Sequence, residues 1–251
     1  MHTTPLTDRF GVEVHDMDLG TLDADSFAQV RDAFETHSAL LFRNQTIDDE
    51  AHMRLALMFG PIEDRETDTL EVGKEFKVPR VSNVREDGSV TPEMDLHTLN
   101  LKANMLWHAD STFLPKPALV NILIGRVVTE TGGATELACT RAGWADMPPA
   151  LKDRIRDRAV WHRLSHSRAR ISPELAALPM FHKWPAQLWR AVWRNPVNGA
   201  EALYIASHAF AVEGMEDDEG TKLIDDLIAW VTQPQYTYAH QWQVGDVLIW
   251  D

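Results

Sequence analysis

The sequence contains a single cysteine, Cys139, among its 251 residues. One thiol cannot form an internal disulfide, so a small secreted scaffold held by disulfides is excluded. A lone cysteine fits a reducing compartment, where a buried thiol behaves as a small apolar side chain. We therefore expect Cys139 to be a core residue rather than a nucleophile.

Long apolar segments are also absent. No apolar run reaches the ~18 residues that a transmembrane helix needs. The first residues, Met1 to Pro5, lack the charged and then apolar order of a secretory leader. We therefore expect a soluble, cytoplasmic protein.

Basic residues are scarce relative to acidic ones, with 24 Lys and Arg against 38 Asp and Glu, which gives a formal net charge of −14. Nucleic acids and anionic membranes are bound mainly through clustered Lys and Arg, so neither is expected as a partner. A small anionic organic substrate remains possible, because a pocket needs only one or two well-placed donors. The acidic clusters at 48–50 and 216–219 are typical of solvated helix starts rather than Ca²⁺ sites.

The length and the 44% hydrophobic content predict one domain over residues 1–251. Periodicity predicts a mainly β fold with flanking helices. Residues 63–100 indicate a long loop that could act as a lid over a pocket, interrupted by a short strand at 80–84. The other predicted strands are 11–16, 40–42, 105–113, 119–128, 135–138, 202–206, 235–242 and 246–250, and the predicted helices are 25–37, 48–59, 141–157 and 222–231.

His108 and Asp110 form the most informative pair in the chain. On a strand, residues two apart point to the same face. An imidazole and a carboxylate on one face are two thirds of the 2-His-1-carboxylate triad, which holds Fe(II) and leaves positions open. The alternative is a surface hydrogen bond, since a chain with 11 His contains about one His-x-Asp by chance.

The surrounding residues 107–113 (Trp-His-Ala-Asp-Ser-Thr-Phe) resemble the metal motif of the taurine and 2,4-D type (TauD/TfdA) dioxygenases. The resemblance extends over nearly the whole chain, through segments 11–19, 41–45, 59–62, 131–135, 205–209, 212–215 and 242–251. It implies a double-stranded β-helix, or jelly roll, and three cofactors or co-substrates: Fe(II), 2-oxoglutarate and O₂. It also implies His108 and Asp110 as metal ligands and catalytic residues.

The resemblance suggests roles for four further residues. Thr135 aligns with a threonine that binds the distal carboxylate of 2-oxoglutarate. The alternative is that Thr135 has no ligand and is present only because threonine favours β-strands. Asn104 falls where some members place an amide against 2-oxoglutarate, and a turn residue is an equal alternative. His208 matches a histidine near the substrate carboxylate. The alternative is a core histidine whose hydrogen bonds are made within the protein. Ser111, inside the metal motif, is assigned to the substrate.

The chain departs from the family after Asp251. In the relatives the second metal His and the Arg that pairs with 2-oxoglutarate follow this point, together with the last jelly-roll strands. None of the other histidines, including His162, His166, His182 and His240, has the required place. We therefore expect that the natural polypeptide continues beyond Asp251, and that without the final strands a sheet edge lies uncovered.

The implied activity is hydroxylation of a small anionic substrate by a homo-oligomer, with release of succinate and CO₂. An aryloxyalkanoate-like carboxylate is the first choice, and loss of the ether partner would follow its hydroxylation. One alternative is a non-catalytic relative that binds a small acid or 2-oxoglutarate. Another is a Zn²⁺ hydrolase that uses His108 and Asp110.

Overall fold

The structure is a computed structural model that describes residues 1–64, 68–69, 78–85 and 87–251. Its helices are α1 (Ala24–His37), α2 (Asp49–Phe59), α3 (Leu96–Ala103), α4 (Thr140–Asp146), α5 (Pro149–Ile155), α6 (Leu164–Ala169), α7 (Pro173–Ala176) and α8 (Asp217–Val231), with 3₁₀ turns at Leu19–Thr21, Pro179–His182 and Pro234–Tyr236. Its strands are β1 (His2–Pro5), β2 (Val12–His15), β3 (Ala39–Phe42), β4 (Glu63–Asp64), β5 (Asp68–Thr69), β6 (Asn121–Ile124), β7 (Thr135–Ala138), β8 (Ala159–His162), β9 (Gln187–Arg190), β10 (Val192–Arg194), β11 (Glu201–Leu203), β12 (Ala209–Val212), β13 (Thr237–His240) and β14 (Val247–Trp250).

The largest sheet has the strand order β1-β2-β3-β14-β6, in which only β2 and β3 run parallel. Its centre is apolar on both faces, because all four residues of β3 and the first three of β14 are buried. Helices α1 and α2 cover one face and contribute Val30, Phe34, Leu55 and Phe59 to the core. Strand β6 ends the sheet and is therefore an edge strand.

The helices that cover this sheet have clear local boundaries. Asp23 begins α1 by accepting a hydrogen bond from the Ser26 amide at 2.8 Å, and Asp48 begins α2 in the same way. These caps satisfy amides that have no partner within the helix. Helix α1 ends at Ser38, whose left-handed φ of 66° turns the chain directly into β3.

A second core lies under α8. It contains side chains from the sheet β12-β8-β9, the hairpin β10-β11 and the short helices α4 and α5. Leu223, Ile224 and Leu227 of α8 are almost completely buried in it. In the described ranges the strands form several separate sheets and no closed barrel. None of the helices there combines the length and apolarity needed to cross a membrane.

Strands β7 and β13 pair antiparallel, with Thr135 opposite His240. The turn after β13 returns to β14 and is joined to the end of β6. The Gly125 amide donates to the Asp246 carbonyl at 2.9 Å, and the Gly245 amide donates to the Gly125 carbonyl at 2.9 Å. This turn therefore connects the β7–β13 pair with the main sheet.

Several sequence predictions were wrong. Residues 105–113 are not a strand, because Asp110 to Phe113 form a turn in which Ser111 has a left-handed φ of 63°. The predicted helix 141–157 is two helices, since extended Met147 and two prolines end α4 before α5 begins. The predicted loop 63–100 contains β4, β5 and the start of α3, and the strand at 80–84 is only one bridge between Val84 and Val90. Residues 65–67, 70–77 and 86 lie outside the described part of that loop.

Other boundaries shift by a few residues. The strand predicted at 119–128 is limited to β6, and the one predicted at 202–206 is limited to β11. The strand predicted at 235–242 begins with a 3₁₀ turn at Pro234. Strands β1, β8, β9, β10 and β12 were not predicted.

Candidate metal and substrate site

His108 and Asp110 lie close together in the irregular segment after α3. His108 Nε2 is 3.7 Å from Asp110 Oδ1, and the two side chains are 25% and 34% exposed. His108 Nδ1 lies 2.8 Å from the Leu106 carbonyl oxygen. A carbonyl can only accept, so Nδ1 carries a proton and Nε2 is the nitrogen that faces Asp110. A nitrogen and an oxygen donor on one accessible face, with the imidazole oriented by a backbone carbonyl, fit a divalent metal.

The metal motif is held in place by residues distant in the sequence. The Trp107 carbonyl accepts a hydrogen bond from the Ser207 amide at 2.9 Å. The Thr112 carbonyl accepts one from the Trp189 indole at 2.7 Å. These two bonds fix the segment on both sides of Asp110, which compensates for the absence of strand pairing.

Ser111 is buried beside this pair, with 1% of its surface exposed. Its hydroxyl donates to the carboxylate of Glu63 in β4. Its left-handed backbone turns the chain sharply after Asp110. In this structure Ser111 therefore anchors the motif to β4.

His208 lies against the His108–Asp110 pair. Its ring is nearly parallel to that of His108, at 15° with 6.3 Å between centroids, and 5.0 Å from that of Phe113. The side chain is buried and its Nδ1 has no hydrogen-bond partner among the described residues. Burial, reinforced by the positive charge of Arg168, holds the pKa of His208 well below its usual value. A neutral ring with an unpartnered buried nitrogen is suited to a polar group of a ligand.

Thr135 belongs to a different cluster. Its hydroxyl oxygen accepts a hydrogen bond from the Trp242 indole at 2.9 Å, and it faces His240 across the β7–β13 pair. Within the described ranges no hydrogen bond or ring contact links this cluster to His108. Asn104 is the exposed residue that ends α3, where its amide donates to the Leu101 carbonyl at 3.0 Å. The structure brings its side chain to neither cluster.

The remaining histidines do not complete the metal site. His240 contacts Asp246 in the interior, and His182 is exposed and bonds the Ala176 carbonyl. His162 is completely buried in β8, neither of its ring nitrogens has a hydrogen-bond partner among the described residues, and burial lowers its pKa to about 4. No group of three His, Cys, Asp or Glu suited to a metal occurs among residues 1–64, 68–69, 78–85 and 87–251.

Three residues of this region were not singled out from the sequence. Glu63 lies in the predicted loop 63–100, Trp242 lies at the end of the predicted strand 235–242, and Trp189 lies outside every predicted element. Their partners Ser111, Thr112 and Thr135 are separated from them by 48, 77 and 107 residues. No local pattern signals such contacts.

A paired imidazole and carboxylate on an accessible face are the donor types of a metal-dependent enzyme, and comparisons with known proteins specify the family. The model of the "Taurine catabolism dioxygenase TauD, TfdA family" matches residues 2–251. The chain therefore belongs to the TauD/TfdA family of dioxygenases and is an enzyme.

The chain is similar over almost its full length to characterised members. It is 32% identical to an (S)-phenoxypropionate/α-ketoglutarate-dioxygenase of Sphingobium herbicidovorans, over 98% of this chain and 85% of that protein. It is 30% identical to an α-ketoglutarate-dependent 2,4-dichlorophenoxyacetate dioxygenase of Cupriavidus pinatubonensis, over 98% of this chain and 88% of that protein. The crystal structure of AAD-2 in complex with Mn(II) and N-oxalylglycine superposes with a TM-score of 0.89 at 32% identity, over 100% of this chain and 87% of that one.

Proposed function

We propose that this protein hydroxylates an aryloxyalkanoate-like carboxylate in a reaction that consumes 2-oxoglutarate and O₂ and releases succinate and CO₂. Enzymes of this family use Fe(II), 2-oxoglutarate and O₂. The observation that carries the proposal is the open His108–Asp110 pair with the neutral His208 ring stacked beside it. The likeness to the AAD-2 structure supports a jelly-roll arrangement.

His108 and Asp110 would supply one nitrogen and one oxygen ligand to Fe(II). Their donor set fits the 2-His-1-carboxylate type of site, which keeps positions open for 2-oxoglutarate and O₂. When bound, the iron and 2-oxoglutarate supply the oxidising chemistry that removes hydrogen from an unactivated carbon. The Leu106 carbonyl orients His108 for this task and leaves Nε2 as the nitrogen that faces Asp110.

The co-substrate and the substrate would use separate groups. Thr135 is the candidate donor to the distal carboxylate of 2-oxoglutarate, because its hydroxyl proton has no acceptor in the part of the chain that the structure describes. Asn104 is the weaker candidate, since its side chain is exposed at the end of α3. His208 and Ser111 adjoin the metal motif and are the candidate substrate residues.

The substrate class follows from the relatives and from the chemistry of His208. The two characterised relatives act on phenoxypropionate and 2,4-dichlorophenoxyacetate, both aryl ethers of a short carboxylic acid. A neutral buried imidazole can donate one hydrogen bond to such a carboxylate without adding a buried charge. Hydroxylation beside the ether oxygen gives a hemiketal or hemiacetal, which releases the phenol and leaves an oxo acid.

The first experiment tests cofactor assembly in the native polypeptide. Fe(II) and 2-oxoglutarate are added without O₂, and the weak visible charge-transfer band of chelated 2-oxoglutarate is recorded. We expect the band in the wild type and its loss in His108→Ala, with His182→Ala as the matched control on an exposed histidine. Absence of the band in the wild type would contradict the proposal and favour a non-catalytic relative.

The second experiment tests the substrate class. Succinate formation is measured with (S)-phenoxypropionate, 2,4-dichlorophenoxyacetate and taurine under O₂. We expect turnover of the two aryl ethers, with release of a phenol in the same amount as succinate. Turnover of taurine alone would show that the substrate assignment is wrong while leaving the dioxygenase assignment intact.

A further inference from the structure

Trp242 donates a hydrogen bond to the hydroxyl oxygen of Thr135, with Nε1 and Oγ1 separated by 2.9 Å. The indole N–H can only donate, so the threonine must accept through a lone pair. The hydroxyl proton is thereby turned away from Trp242. No acceptor for that proton exists within the described residues, and Thr135 is only half-buried, so a ligand can reach it.

The indole is held by its neighbours in one orientation. One edge lies on Gly125, where an added Cβ would come within 3.0 Å of the ring carbon Cε3 and 2.8 Å of the Gln243 carbonyl oxygen. The other side meets the His240 ring at 82°, with 4.5 Å between centroids. Glycine is therefore required at position 125 for the indole to occupy this place.

His240 lies against a buried carboxylate. Its Nε2 lies 3.0 Å from Asp246 Oδ2, and both side chains are completely buried. The same oxygen accepts from the Arg43 guanidinium at 2.6 Å and from the Gln243 amide at 2.7 Å. A buried carboxylate with these partners is costly to move, because any displacement leaves a charge unpaired. The Trp242 indole thus packs against a ring that contacts a carboxylate held beside β14.

We propose that Trp242 is a positioning residue that directs the Thr135 hydroxyl proton toward the distal carboxylate of 2-oxoglutarate. The proposal rests on the assignment of Thr135 under the proposed function. Donation into a hydroxyl oxygen strengthens the hydrogen bond that the hydroxyl itself donates, since bonded groups polarise one another. Trp242 therefore increases affinity for the carboxylate without touching it.

The test compares two 2-oxo acids of equal length in equilibrium binding to the Mn(II)-loaded native protein, measured by titration calorimetry. One is 2-oxoglutarate, and the other is 2-oxopentanoate, which lacks the distal carboxylate. Trp242→Phe keeps a ring against His240 and removes the N–H. We expect about a two- to tenfold loss of 2-oxoglutarate affinity, the range for one hydrogen bond. Affinity for 2-oxopentanoate should stay unchanged.

Thr135→Val supplies the second half of the experiment, because it removes the hydroxyl through which Trp242 is proposed to act. In that background Trp242→Phe should cause no further loss of 2-oxoglutarate affinity. An equal loss for both acids, or a loss that persists in Thr135→Val, would overturn the proposal and leave Trp242 as a packing residue. If the wild type binds neither acid, the proposed function itself fails.

A second replacement covers the case in which Trp242→Phe does not fold. Benzothienylalanine at position 242 keeps the bicyclic shape and replaces the N–H by sulfur. It fills the same space against Gly125 and His240, so a change in binding reports the lost hydrogen bond alone. The same selective loss for 2-oxoglutarate is expected, and identical binding of both acids to this protein and the wild type would refute the proposal.

Discussion

Protonation of His162 is expected to make folding strongly dependent on pH. The residue lies in β8 with none of its surface exposed, and neither ring nitrogen has a partner among the described residues. The ring of Tyr204 lies 5.8 Å away, measured between ring centroids. Burial lowers the pKa of His162 from 6.5 to about 4, because a charged ring would lose its hydration there.

The sign follows from the two pKa values. As the pH falls, His162 takes up its proton in the unfolded chain before it does in the folded protein. His162 therefore favours unfolding below about pH 6.5, and this destabilisation is complete below about pH 4. A shift of about 2.5 pKa units corresponds to ~3 kcal/mol of unfolding free energy. Between about pH 7.5 and pH 5, the loss is roughly 2 kcal/mol.

The assay is urea denaturation of the wild type and His162→Phe at these two pH values. Phenylalanine has a similar shape and cannot be protonated, so the variant should lose roughly 2 kcal/mol less than the wild type on acidification. His182→Phe is the matched control, because His182 is exposed. An equal pH dependence in the wild type and His162→Phe would refute the reasoning.

Two stability predictions concern helix packing and capping. Gly143→Ala in α4 should destabilise the protein by about 1–3 kcal/mol in urea denaturation, because the new Cβ would lie 2.8 Å from Val231 Cγ1. The higher helix propensity of alanine returns only about 0.5–1 kcal/mol. A net stabilisation would contradict the packing argument. Asp48→Ala should cost about 1 kcal/mol by the same measurement, since it removes the bond to the Ala51 amide. Asp48→Asn, which keeps an accepting oxygen, should cost much less, and equal losses would show that the cap is not the cause.

Elements with local boundaries were predictable from the sequence. Helices α1 and α2 combine an aspartate cap, a helical apolar period and a clear end, and both were predicted to within one residue. Strands β8, β9, β10 and β12 were not predicted, although the burial of β8 does alternate. One of its two core positions is His162, whose polarity hides the strand pattern. Burial of such a residue depends on the tertiary environment, which the local sequence does not contain.

The candidate site divides in the same way. His108 and Asp110 lie within three residues, so their proximity could be inferred even though the strand that suggested it is absent. A turn at Ser111 and hydrogen bonds from Ser207 and Trp189 hold the motif instead. The hydrogen bond from the Trp242 indole to the Thr135 hydroxyl could not be inferred, because the two residues are 107 positions apart in the sequence. Candidate ligand atoms can thus be predicted from a short motif, whereas the groups that orient them become visible only when the chain is folded.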